Sequence, residues 1–263
     1  MTKPKETSVD PLAIVSDGAE LDSGVVVGPF SIVGNSVRVG ADTVIGPHVV
    51  LEGRTTIGSG NRIFQFASVG AIPQDLKYAG EDSELIIGNR NQIRECATIH
   101  LGTEGGGMVT SIGDDGLFMA YSHVAHDCRI GNSVILGNAS TLAGHVVIED
   151  GAILSGLTGV HQYCKLGQLS YIGAASVVVK DVPPYTTVQG DRAKLVGLNL
   201  EGLKRKGLSD EQITNLKRAY RVLFRSGLVL GEAVAKVRAE ISPDHDVELL
   251  TEFVLASERG VTR

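Results

Sequence analysis

Four histidines fall within a short stretch of this 263-residue chain, at His123, His126, His145 and His161. A neutral imidazole is the side chain best suited to take a proton from a hydroxyl near neutral pH. His126, Gly144 and Gln162 are spaced by 18 residues. A fold that repeats on that spacing would stack them on consecutive layers, roughly 5 Å apart if the layers are strands. A glycine beside the base is useful because its N–H lets a substrate oxyanion approach closely. Base and donor together suit acyl transfer to an alcohol. Asp127, adjacent to His126, can orient the imidazole and raise its basicity, as a carboxylate does in hydrolytic triads, provided the chain lets both face one pocket. With His100 the same imidazoles are numerous enough for a zinc site, but no local spacing compels one, so no metal is assigned. The run Gly105-Gly106-Gly107 lacks the strand-to-helix setting of a phosphate loop and reads as loop flexibility.

The elements that must position these groups follow from a longer pattern. From Val9 to Val178 a branched or large apolar residue returns at every sixth position: Val9 through Val69, then Ile87, Ile93 and Ile99, then Ile112 through Val178. These make 26 hexads with no charged residue at the repeat position. Neither a helix nor a half-buried strand, with periods of about 3.6 and 2, holds that register so long. A six-residue unit is one short strand plus a corner, so three units close a triangular coil of 18 residues and coils stack by parallel pairing. The residue two places before the repeat also faces inward and is mostly small, as at Ala13, Ala19, Ser31, Thr43, Ala67, Cys128, Ala152 and Cys164. So narrow an interior rejects rings, consistent with no Trp and 5% aromatic content beside 43% apolar residues. Glycine often follows the repeat residue, as at Gly28, Gly40 and Gly88, where a tight corner is expected to need positive φ. Some nine coils, about 4.8 Å apart, give a prism on the order of 40 Å long.

Two segments, near 71–85 and 101–110, break the pattern, the second slipping its phase by one residue. Both read as loops extruded from a rigid scaffold, where function tends to lie. After Asp181-Val182-Pro183-Pro184 the period stops. The expected division is a β-solenoid over 1–185 and a small helical domain over 186–263. Ser209 to Gln212 fits a capping box ahead of the apolar stripe Ile213, Leu216, Tyr220, Leu223 and Phe224, and further helices fit about 230–241 and 246–258. They are expected to cover the end of the prism, whose last coil otherwise exposes apolar side chains and strand edges.

Cys96, Cys128 and Cys164 form no C-x-x-C pair and read as reduced packing residues, which points to a cytoplasmic protein. Residues 1–10 hold no apolar core for a signal peptide, and no apolar run is long enough to span a membrane, so no integral membrane contact is expected. A net charge of −6 argues against nucleic-acid partners. Positive charge is concentrated at Lys204, Arg205 and Lys206, and along one helix face at Lys217, Arg218, Arg221 and Arg225.

At His123-Val124-Ala125-His126-Asp127-Cys128 the chain resembles the bacterial UDP-N-acetylglucosamine O-acyltransferases that open lipid A synthesis. The likeness continues through Gln74 to Gly80, Thr98-Ile99-His100, Leu142 to His145, Val160-His161-Gln162, Asp181 to Tyr185 and Asn199 to Arg205. The resemblance implies a mainly β fold, a left-handed parallel β-helix of hexapeptide repeats followed by the helical domain. It implies an acyltransferase that moves a 3-hydroxyacyl group from acyl carrier protein to the glucosamine 3-hydroxyl of UDP-N-acetylglucosamine. His126 is then the general base, Asp127 its support, and the Gly144 N–H the oxyanion donor. Asp75 and Lys77 contact the sugar nucleotide or acyl chain, while His100, His123, His145, His161 and Gln162 line the cleft. Asn199, Glu201 and Arg205 hold the nucleotide end. No cofactor is implied beyond the phosphopantetheine of the carrier protein, and the basic helix face suits that acidic partner. The implied assembly is a cytoplasmic homotrimer whose clefts lie between neighbouring prisms. Lys206 stands where the family often has arginine, and Leu101 where a basic residue is common. Residues near Tyr171 and Ala174 are candidates for bounding the acyl chain. Two alternatives stay open: a related N-acyltransferase acting on an amino sugar, and an interfacial histidine–metal enzyme resembling hexapeptide carbonic anhydrases.

Overall fold

The computed structural model describes residues 6–241 and 244–263; residues 1–5 of the N-terminal stretch read above lie outside it. Three sheets of 11, 9 and 8 strands form the walls of a left-handed parallel β-helix. Each strand pairs with the strand one coil later, Val26 with Val44 on one face and Ile32 with Val50 on the next. Two coils are enlarged: Ile63 pairs with Ile93, and Ile93 with Phe118. Their extra residues are the two extruded loops, between Ser68–Ala71 and Glu84–Ile87 and between Thr98–His100 and Val109–Ile112.

The repeat residues from Val27 to Val178 fill the interior and are essentially inaccessible. Phe118 is the ring among them, and it fits because the inward position two places before it is Gly116. Polar residues at that position are satisfied by backbone. Ser31 Oγ donates to the Gly46 carbonyl and accepts the Val49 N–H, and Thr43 bridges Gly58 and Asn61 in the same way.

The corner chemistry differs from the sequence expectation. Among the glycines that follow a repeat residue, Gly70 alone has a left-handed φ; Gly28, Gly40 and Gly88 do not. They are small because the next coil's backbone passes there, and a Cβ on Gly40 would sit 2.7 Å from the Gly58 carbonyl carbon. The left-handed residue comes two places later, and it is usually not glycine: Phe30, His48, Phe66, Tyr121, Asp127, His145 and Tyr163 all have φ near +60°.

Past the last hexad, Thr186–Gln189 still pairs with Tyr171–Ile172 and turns back into the antiparallel strand Lys194–Leu198. Four helices follow: α1 (Leu200–Arg205), α2 (Asp210–Arg225), α3 (Leu230–Glu240) and α4 (His245–Ala256). The short α1 was not expected, and Ser209 and Gln212 make the reciprocal capping box of α2. The helices close over Tyr185, which is fully buried and donates its hydroxyl to Asp246. The chain then returns to the prism: Thr262 N–H donates to the Asp181 carbonyl, and Ser257 Oγ to the Asp181 carboxylate. At the opposite end the repeat residues are less covered among the described residues: Val9 is 43% exposed, and Val15 and Leu21 are only partly buried. Along one corner near that end Phe30, His48 and Phe66 stack in the open, with ring centroids 5.0 and 5.3 Å apart.

Candidate active site

The 18-residue spacing puts His126 and Gly144 on one corner in consecutive coils. The His126 ring lies flat against the glycine, so that a Cβ there would be 2.5 Å from Cε1 and 2.7 Å from Nε2. No other residue type fits beside that ring. His126 Nδ1 is 2.7 Å from Asp127 Oδ2. A carboxylate only accepts, so Nδ1 carries the proton and Nε2 presents its lone pair. The Gly144 N–H donates to no protein group among the described residues.

Asp127 is held from the second extruded loop. Its side chain is fully buried; Oδ1 accepts the Thr103 N–H at 2.8 Å, and Oδ2 accepts the Thr103 hydroxyl at 2.6 Å. Its own N–H donates to Thr110 Oγ1. The left-handed corner conformation directs the Asp127 side chain back under its neighbouring histidine. One ligand atom each from His126, Asp127 and His145 lies within 4.8 Å of the others, a spacing that could hold a metal ion. Both Asp127 oxygens already serve three donors, so the chemistry of this set is that of an oriented base.

A cavity of about 620 Å³ opens over this corner, lined by Asp75 and Lys77 of the first loop and by His126, His145, Gln162 and Tyr163. His145 stacks on Tyr163 at 4.4 Å and meets His126 edge-on at 5.1 Å. Burial lowers the His145 pKa against the raising effect of Asp127. His100 and His123 form a second pair, ring to ring at 4.9 Å. His123 Nδ1 is hydrogen-bonded to Thr98 Oγ1 at 2.7 Å. Burial, followed by the neighbouring imidazoles, pushes His100 down to about 4, and its buried Nδ1 has no partner among the described residues. His161 is exposed, and Arg259 of the C-terminal tail donates to its Nδ1 at 2.8 Å.

Asn199, Glu201 and Arg205 are not with these residues. They line a separate cavity of about 670 Å³ with Lys206, over an apolar floor of Ile135, Ile153, Leu169 and Tyr171 on another face of the prism. Asn199 caps α1, its Oδ1 accepting from Gly202 N–H and its Nδ2 donating to the Leu169 carbonyl. Leu101 is buried and its methyls pack against Gly53, a structural use for the departure seen in sequence. Thr103, Thr110, Tyr163 and Arg259 escaped the sequence reading. Only Tyr163 had a signal there, since it follows Gln162 on the coil above His145.

A family model described as UDP N-acetylglucosamine O-acyltransferase, domain 2, matches residues 181–262. An acyl-[acyl-carrier-protein]–UDP-N-acetylglucosamine O-acyltransferase of Myxococcus xanthus is 56% identical over 255 residues, 97% of this chain and 99% of that protein. Its counterpart in Verminephrobacter eiseniae is 53% identical over 98% of this chain and all of its own length. The solved UDP-N-acetylglucosamine acyltransferase of Francisella novicida superposes with a TM-score of 0.92 at 41% identity, covering 97% of this chain and 94% of that one. With likeness of this extent over both the solenoid and the helices, the chain belongs to the UDP-N-acetylglucosamine O-acyltransferase family.

Proposed function

We propose that the protein transfers a 3-hydroxyacyl group from acyl carrier protein to the 3-hydroxyl of UDP-N-acetylglucosamine, opening lipid A synthesis. The observation that carries the reading is the His126 ring, proton on Nδ1 toward Asp127 and lone pair on Nε2 beside Gly144. His126 Nε2 takes the proton as the sugar oxygen attacks the thioester carbonyl carbon. The tetrahedral oxyanion accepts the Gly144 N–H. On collapse the C–S bond breaks, and the imidazolium returns its proton to the departing thiolate. Asp127 holds the Nδ1 proton throughout and stabilises the imidazolium. No cofactor enters these steps apart from the carrier's phosphopantetheine. His126→Ala is expected to lower turnover by at least about 10², the usual scale for a general base, with the fold unchanged. Near-normal turnover overturns the assignment.

The second cavity suits the nucleotide end, with a flat apolar floor for a base and Arg205 and Lys206 at its rim. Lying on a different face from His126, it completes a site only if a neighbouring copy supplies it. That geometry, with the exposed Phe30–His48–Phe66 stack, favours a homotrimer with clefts between prisms. The exposed basic face of α2, at Lys217, Arg218, Arg221 and Arg225, suits the acidic carrier protein. No helix among the described residues is long and apolar enough to cross a membrane, which agrees with a cytoplasmic enzyme. Mass spectrometry of products from UDP-N-acetylglucosamine and a series of acyl carrier thioesters fixes the acceptor atom and chain length, and separates O- from N-acylation.

A further inference from the structure

We infer that the second extruded loop is a clamp on the catalytic carboxylate, with Thr103 as a positioning residue and Gly106 as the gap that lets the loop close. The inference rests on the reading of His126 and Asp127 as base and support. Three observations meet at Asp127. Thr103 supplies two of the donors on its carboxylate, one to each oxygen, from main chain and hydroxyl. The third donor is His126 itself. Gly106 lies so close over the carboxyl group that a Cβ there would overlap it, whereas a Cβ on Gly105 would meet nothing. The loop is also organised: Glu104–Gly106 forms a 3₁₀ turn, Gly107 ends it in a left-handed conformation, and Glu104 N–H donates to Glu81 of the first loop.

Physically, the clamp does two things. It buries the carboxylate completely without leaving an oxygen unpaired, so the anion need not rotate toward water. It also leaves one Oδ2 direction for the His126 Nδ1 proton, fixing the tautomer that keeps Nε2 basic. The triple glycine is therefore not flexibility in general. Gly106 is required by contact and Gly107 by backbone conformation.

The test compares Thr103→Val, which deletes the hydroxyl but keeps shape and backbone donor, with Thr103→Ser, which restores it. Thr103→Val should lower kcat about tenfold, the lower end of what a charge-assisted hydrogen bond supports, with KM for both substrates within about twofold. Nitrogen-15 NMR of the imidazoles should show His126 as the Nδ1–H tautomer in the wild type and as a mixture in the valine variant. Thr103→Ser should recover both kcat and tautomer. Gly106→Ala should give the same kcat loss with KM retained. A valine variant with wild-type kcat and an unchanged His126 tautomer overturns the clamp, as does failure of serine to rescue. His126→Ala measured in parallel separates the two claims: if it stays active the base assignment fails, and if it is inactive while Thr103→Val is normal only the clamp fails.

Discussion

His100 shows how far the prism wall alters an individual group. The residue is 4% exposed and its imidazole is held neutral by burial, with its pKa pushed down to about 4. In the unfolded chain the same group takes a proton near pH 6.5. Folding stability from this residue is therefore complete above about pH 6.5 and is lost as pH falls toward about 4, by up to about 3 kcal/mol. Urea unfolding of wild type and His100→Gln across that range should show the variant losing less stability on acidification, by roughly one proton's slope. His123 and His145, whose pKa values burial also lowers, act with the same sign. At this scale the sequence made His126, Gly144 and Gln162 legible because an 18-residue interval is a vertical step in the solenoid. It could not show Thr103 on Asp127 or Arg259 on His161. Both partners come from segments without a repeat, where spacing carries no spatial meaning.

Coils stack at the positions where the chain has no side chain to spare. Gly40→Ala is expected to destabilise the protein by about 1–3 kcal/mol, because its methyl would meet backbone of the next coil that cannot move without shifting a strand. Gly105→Ala, with open space around it, should leave the melting temperature nearly unchanged; paired thermal melts check both. Ser209→Ala removes half of a capping box and should cost about 1 kcal/mol in the helical region. The strands were readable almost individually, since each repeat residue marks one, and the two loops announced themselves as interruptions of the repeat, the second also slipping its phase. The glycine rule was misread: a period records that a small residue recurs but not whether conformation or contact demands it. The Thr186–Gln189 and Lys194–Leu198 strands, and α1, had no periodic signal because they occur once.

For the molecule as a whole, the two cavities on separate faces make a direct test of shared sites. His126→Ala and Arg205→Ala chains, each inactive alone, should recover activity when co-assembled, reaching about a quarter of wild type for random trimers with one donor of each residue per cleft. Lack of any recovery would place all residues of a site on one chain. Charge reversal at Lys217 and Arg221 should raise KM for acyl carrier protein about tenfold at low salt, leave kcat in place, and flatten the salt dependence. The sequence indicated both basic surfaces by composition, but where they lie depends on the Thr186–Gln189 and Lys194–Leu198 strands and on α1, which carry no repeat. One further consequence follows from the unequal ends of the prism. The helices and the returning tail lock the last coil through Tyr185 and Asp181, whereas in the first described coil the repeat residues Val9, Val15 and Leu21 are exposed or only partly buried. A linear array clamped at one terminus frays from the other. Amide exchange should therefore run as a gradient, fastest over 8–21 and slowest over 148–182, so that thermal unwinding reaches the coils of His126 and Gly144 only after every coil before them.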